Sequence, residues 1–313
     1  MENPESNASF NLSLKIRDYM VLMKFTLSFT VVFTCVICYL LAPNILFNLK
    51  MVIILFVAGM LVTGSASAIN QVVEKDTDAK MKRTADRPVA SGRVSPAAAS
   101  IYAGIIGCIG VFSMYYYFNL SSALLSAFSL FFYAFVYTPL KKVSSIAVLA
   151  GALPGALPCL IGWVAATDLI SPFSYIRVGD KDISNAAGWV LFAIQFLWQF
   201  PHFWAIAWVA HSDYTRVGFK LLPADKGPTK FTAVQTVMYS VLMLPVGVLP
   251  YFLGISGWIS LVIVTIANVF LVIQCMRLYV QMDVKAARRV MFSSYIYLPV
   301  VFLSLLADKV HYI

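Results

Sequence analysis

Asn70, Glu74 and Asp78 recur at every fourth position, a spacing that stacks three oxygen-bearing side chains on one face of a helix. Oxygen ligands of this kind suit Mg2+, which is typically held by one or two carboxylates together with substrate phosphates. Lys82, Arg83 and Arg87 follow, and guanidinium forks grip phosphate oxygens in pairs. The residue types therefore describe a site for a metal-bridged diphosphate. Asp76 falls on another face and reads as solvated. A salt-bridged helix end would carry similar charges. The row begins, however, at the edge of an apolar run, where polar groups usually face a cavity.

A second polar patch lies further along. Gln195, Gln199 and His202 occur at i, i+4 and i+7 within an apolar stretch, and Pro201 is placed to kink the helix beside them. An interhelical hydrogen bond is the plain reading of one buried histidine. The polar stripe and the proline together favour a cavity wall. Asp213 and Tyr214 follow, then Leu222-Pro223-Ala-Asp225-Lys226-Gly227. His211 and His311 receive no role. Cys35 and Cys38 have the CxxC form, but they sit in an apolar run without further ligands nearby and read as packing. Gly151, Pro154, Gly155, Pro158 and Gly162 mark a kinked, small-residue helix suited to close packing, whose crevice is also open to a long apolar substrate tail.

The elements that position these residues are membrane spans. Hydrophobic residues make up 60% of the 313, charged ones 12%, and mean hydropathy is +0.82. A soluble domain carries about 25% charge. Apolar runs of about 20 residues cross a bilayer as helices. Nine are expected, near 22–42, 50–69, 97–117, 120–139, 145–166, 187–210, 232–253, 257–276 and 290–307. The fold class is all-α: a polytopic membrane protein of one domain, 1–313, with residues 1–20 as a polar cytoplasmic tail. The tail lacks the apolar core of a signal peptide and the arginine richness of a transit peptide, which favours a bacterial inner membrane. When alternate loops are assigned to two sides, Lys50, Arg177, Lys181 and Lys309 alone of the 23 basic residues fall opposite the rest. The positive-inside rule then puts the N-terminus and the basic loops in the cytoplasm and the C-terminus outside. The net charge of +9 is thus spent on topology, and nothing calls for nucleic acid. The two polar patches each end a span on the same side, as in two parallel halves with a site between them.

Asn70-x-x-x-Glu74-x-x-x-Asp78, followed by Met81-Lys-Arg-Thr-x-x-Arg-Pro88, resembles the first signature of the intramembrane UbiA-type prenyltransferase superfamily. Within it, the protohaem IX farnesyltransferase branch is the most similar. Tyr137-Thr-Pro-Leu-Lys-Lys142, the Gly151–Trp163 stretch and Trp198-Gln-Phe-Pro-His-Phe203 with Asp213-Tyr214 extend the likeness over about residues 60 to 230. The resemblance implies nine helices around a central cavity, Mg2+, and transfer of a farnesyl group from farnesyl diphosphate to the 2-vinyl group of haem b, giving haem o for a haem-copper oxidase. Asn70, Glu74 and Asp78 would then hold the metal-diphosphate, with Arg83, Arg87 and Lys142 on phosphate. Asp213 would stand for a second acidic signature and join the metal set. Gln199, His202 and Tyr214 would contact substrate. Val217 stands where many members of the superfamily repeat an acid, and Glu74 replaces a commoner Asp. A downstream haem-modifying enzyme or terminal oxidase is the implied partner. Two other functions share some of these features. A quinone-pathway aromatic prenyltransferase would use the same diphosphate site. A transporter of an anionic phosphate compound would need polar groups deep in both halves, and this chain has few charges away from the basic face.

Overall fold

The computed structural model describes residues 12–223 and 227–312. Asp225, Lys226 and residues 1–11 of the expected polar tail lie outside the described residues. Eight helices among them are long and apolar enough to cross a membrane, and the count reaches the expected nine if a helix pair bent by 52° is taken as one broken span. That pair is α1 (Leu12–Leu22) and α2 (Phe25–Leu41). The tail thus gives way to helix at Leu12, where the sequence suggested a polar segment up to residue 20. Leu14, Ile16 and Met20 are exposed on α1 among its charged residues, so the segment presents apolar as well as polar surface.

The remaining spans follow the apolar runs. They are α3 (Leu49–Val73), continued past Glu74 by the single turn α4 (Lys75–Asp78), then α5 (Pro96–Tyr117) and α6 (Leu120–Phe131). The fourth span changes to a π-helix over Phe132–Tyr137 and ends in the short α7 (Thr138–Leu140). Next come α8 (Ala147–Thr167), α9 (Ala186–Val209) with the short α10 (His211–Arg216), α11 (Lys230–Phe252), α12 (Trp258–Gln281) and α13 (Val284–Ala307). Asn48, Ser95, Asn119, Thr229 and Asp283 cap their helices through side-chain oxygens, satisfying backbone donors that a helix start leaves free. A hairpin of β1 (Tyr175–Val178) and β2 (Lys181–Ser184) joins α8 to α9, pairing Tyr175 with Ser184 in antiparallel register.

The spans form two groups. In the first, α2 packs on α3 and α8, α3 on α5, α5 on α6, and α6 on α8. In the second, α9 packs on α11 and α13, and α12 joins those two. The groups meet where α8 lies along α9 and α13 touches α2. Small residues set that seam. A Cβ on Gly162 would collide with the backbone carbonyl of Cys35, and one on Gly155 with the Gln199 amide, so the α8 glycines are required by close approach. Pro158 removes the donor that would have paired with the Pro154 carbonyl. The Ser129 hydroxyl, 3.3 Å away, donates to that oxygen instead. Cys35 and Cys38 are buried, reduced packing residues, as their setting suggested.

Candidate active site

A cavity of about 400 Å3 opens between the two groups at the end of the bundle that carries the basic loops. Its lining brings together Asn70, Glu74, Asp78, Arg83, Arg87, His202 and Tyr214 from the expected set. Asn70, Glu74 and Asp78 share one wall because α3 continues almost unbroken through Glu74 into α4, with the Glu74 N–H bonded to the Asn70 carbonyl. Asp76 is exposed, away from that face.

Each oxygen-bearing side chain on this wall is met by a cation. Lys24 Nζ donates to Asn70 Oδ1 at 2.8 Å, Lys141 Nζ to Glu74 Oε1 at 2.8 Å, and Arg87 Nη1 to Asp78 Oδ2 at 2.6 Å. Asn70 Nδ2 donates in turn to Thr138 Oγ1 at 3.3 Å, tying the row to the fourth span. Asp78 Oδ1 is buried with no hydrogen-bond partner, an acceptor open to a cation and otherwise costly to bury. Four cations, Lys24, Arg83, Arg87 and Lys141, line the cavity against two carboxylates, Glu74 and Asp78. The surplus positive charge favours an anion.

The other wall comes from α9, α10 and α13. His202 is stacked on Trp198, with centroids 4.5 Å apart, and meets Tyr295 edge-on at 5.1 Å. Arg83 Nη2 donates to the Tyr214 hydroxyl at 3.2 Å, joining the two polar loops across the mouth. Phe203, Ile206, Val148 and Leu27 give this space apolar surface.

Three expected residues are placed differently. Lys142 is exposed and outside the cavity, and Lys141 takes the position expected of it. Ala134, Thr138 and Lys141 form the buried face of the fourth span's end, and Lys142 lies one residue beyond it. Gln199 is buried but does not line the cavity, because its amide donates to the Ala152 carbonyl at 2.9 Å. Gln195 likewise donates to the Gly155 carbonyl at 3.2 Å, so both glutamines hold α9 to α8. Asp213 is half-buried on α10, also outside the lining. Among the described residues no group of three His, Cys, Asp or Glu side chains converges as a metal site. Lys24, Tyr137, Lys141 and Tyr295 are lining residues the sequence did not single out. Lys24 had a signal, a single cation beginning an apolar run, whereas Tyr295 had none in an ordinary apolar span.

A bundle of membrane-spanning helices enclosing a cation-rich, carboxylate-bearing cavity defines an intramembrane enzyme of the prenyltransferase class. The chain belongs to the UbiA prenyltransferase family, whose model matches residues 31–298. It is 40% identical over 303 residues to the protohaem IX farnesyltransferase of Cytophaga hutchinsonii, covering 96% of this chain and 100% of that one. It is 38% identical to the enzyme of that name from Flavobacterium johnsoniae, covering 97% and 99%. A digeranylgeranylglyceryl phosphate synthase structure superposes with a TM-score of 0.76 at 18% identity, covering 94% of this chain and 98% of that one. A UbiA homologue from Archaeoglobus fulgidus, bound to GPP and Mg2+, gives 0.63 at 14% identity, covering 92% and 99%. At these identities the two structures speak to the fold alone.

Proposed function

We propose that the chain transfers a farnesyl group from farnesyl diphosphate to the 2-vinyl group of haem b, giving haem o, with Mg2+ held by Asn70, Glu74 and Asp78. The observation that carries the donor half is the paired wall of these three side chains, with Lys24, Lys141 and Arg87 beside them and Asp78 Oδ1 unpaired. Two carboxylates and an amide oxygen are a donor set that leaves positions for phosphate, as Mg2+ requires. Bound there, Mg2+ supplies charge neutralisation at the phosphate oxygens. The acceptor half rests on the relatives named above, both protohaem IX farnesyltransferases.

The chain's own residues then act as follows. Lys24, Arg83, Arg87 and Lys141 stabilise the charge that gathers on diphosphate as the allylic C–O bond breaks and its electron pair leaves with oxygen. The apolar lining excludes water from the farnesyl cation. The vinyl π electrons form the new C–C bond to the farnesyl carbon. The cation left beside the porphyrin takes up water and loses a proton, giving the hydroxyl. The site lies on the cytoplasmic face of a bacterial inner membrane in this reading, as the basic loops favour.

The test is to incubate purified protein with Mg2+, farnesyl diphosphate and haem b in oxygen-18 water and analyse the pigment by mass spectrometry. A hydroxyethylfarnesyl haem carrying oxygen-18 is expected. Recovery of unaltered haem b from folded protein that binds farnesyl diphosphate and Mg2+ would contradict the assignment.

A further inference from the structure

Ser294 of α13 is fully buried and touches two groups at once. Its hydroxyl lies 2.6 Å from the Met291 carbonyl, to which it donates, and 2.8 Å from His202 Nδ1. A serine hydroxyl has one proton. With that proton on Met291, the only favourable contact left to Oγ is to accept from Nδ1–H. The opposite arrangement would press two bare acceptors together at 2.6 Å. The imidazole is held in place as well as oriented. Trp198 stacks on it and donates its own Nε1–H to the Ser294 carbonyl at 2.9 Å, so one serine anchors both rings. Nε2 has no hydrogen-bond partner among the described residues, and His202 lines the cavity.

We infer that Ser294 is a positioning residue that fixes His202 as the Nδ1–H tautomer and so presents the Nε2 lone pair to the cavity as a ligand for the iron of the porphyrin acceptor. The tautomer part stands on the two Ser294 contacts alone. The iron part rests on the proposed haem acceptor. A ring nitrogen held by a hydrogen-bonded partner on its other side is the usual arrangement of ligating histidines, because that partner fixes the tautomer and ring direction. A cavity histidine serving as a donor to substrate would need the other tautomer.

The experiment has two readouts on the full-length protein in detergent. Nitrogen-15 NMR of histidine-labelled protein, with His202→Ala to assign the signal, reports the tautomer without any ligand. Optical titration with ferric haem b reports imidazole ligation. We expect Nδ1–H in the wild type and in Ser294→Thr. Ser294→Ala is expected to show a mixed tautomer population and roughly 10- to 100-fold weaker haem ligation, the usual effect of removing such a partner. Since Ser294 is buried, Ser294→Cys, close in size and a poor acceptor, checks that weakening follows the hydroxyl and not packing. An Nε2–H wild type, or Ser294→Ala and Ser294→Cys with unchanged tautomer and ligation, overturns the inference. If haem fails to bind the wild type while Nδ1–H is observed, the iron role falls together with the proposed acceptor, and the tautomer assignment stands.

Discussion

Lys141→Met removes a charge while keeping most of the side chain's bulk. Lys141 and Glu74 are both buried, with Nζ and Oε1 2.8 Å apart, and Lys141 Nζ also lies 4.6 Å from the Tyr137 ring centroid. Breaking a buried pair by deleting one partner costs about 3–5 kcal/mol, because the remaining charge is left uncompensated. A second cost falls on catalysis. One charge-assisted bond to diphosphate contributes about 1.5–3 kcal/mol, so kcat/KM for farnesyl diphosphate should fall roughly 10- to 200-fold. The double variant Lys141→Met/Glu74→Gln isolates the stability cost. It removes the orphaned charge and should recover most of the stability, while the catalytic cost is read from the single variant, because Glu74 is itself a proposed metal ligand. Thermal unfolding in detergent and steady-state kinetics with varied diphosphate measure both effects. Single-variant kinetics within twofold of wild type, or a larger loss in Lys142→Met, would refute the placement of Lys141 in the site.

Asp78→Ala and Asn70→Ala should each abolish turnover, and each should also lower the unfolding midpoint, since Asp78 loses its Arg87 ion pair and Asn70 its bonds to Lys24 and Thr138; activity near wild type in either, at normal expression, removes the metal assignment. Arg83→Ala and Arg87→Ala should each lower kcat/KM for diphosphate by roughly 10- to 200-fold, but Arg87→Ala alone should also lower the unfolding midpoint, because Asp78 is buried and Arg87 is its partner. An unchanged diphosphate KM and kcat with weakened haem binding would reassign both arginines. Lys82→Cys, exposed on the loop after α4, should react with an impermeant thiol reagent in inverted vesicles and not in intact cells; labelling from outside reverses the proposed topology.

The spans were legible because each carries an apolar run long enough to cross a bilayer, a signal that survives any error at the ends. The Asn70, Glu74 and Asp78 wall was legible for a related reason. Their period of four holds through the end of α3, so one helical face describes them all. The cations opposite were harder. Lys24 reaches Asn70 because the chain bends at Lys24, which adopts a left-handed backbone with φ of 47°. No glycine or asparagine announces that turn, and a lysine there costs of order 1–3 kcal/mol that the surrounding packing must offset. Lys141 and Lys142 differ by one residue. The choice between them rests on the helical phase after a π-helical segment, which adds a residue to the local turn. Gln195 and Gln199 share a face with His202, but the α8 glycines bring that helix close enough for its carbonyls to take both amides. Sequence periodicity finds the face and not what lies against it. The hairpin had a visible signal, Gly179-Asp180 between Tyr-Ile-Arg-Val and Lys-Asp-Ile-Ser, in which Ile176, Val178 and Ile183 are buried. In a chain dominated by long apolar runs, that alternation was too short to stand out.

The central claim concerns what receives the prenyl group. Purified protein supplied with Mg2+ and farnesyl diphosphate, and with haem b and 4-hydroxybenzoate present together, answers it in one mass spectrum. The account predicts hydroxyethylfarnesyl haem and no farnesylated benzoate. Farnesylated benzoate without a haem product would contradict it.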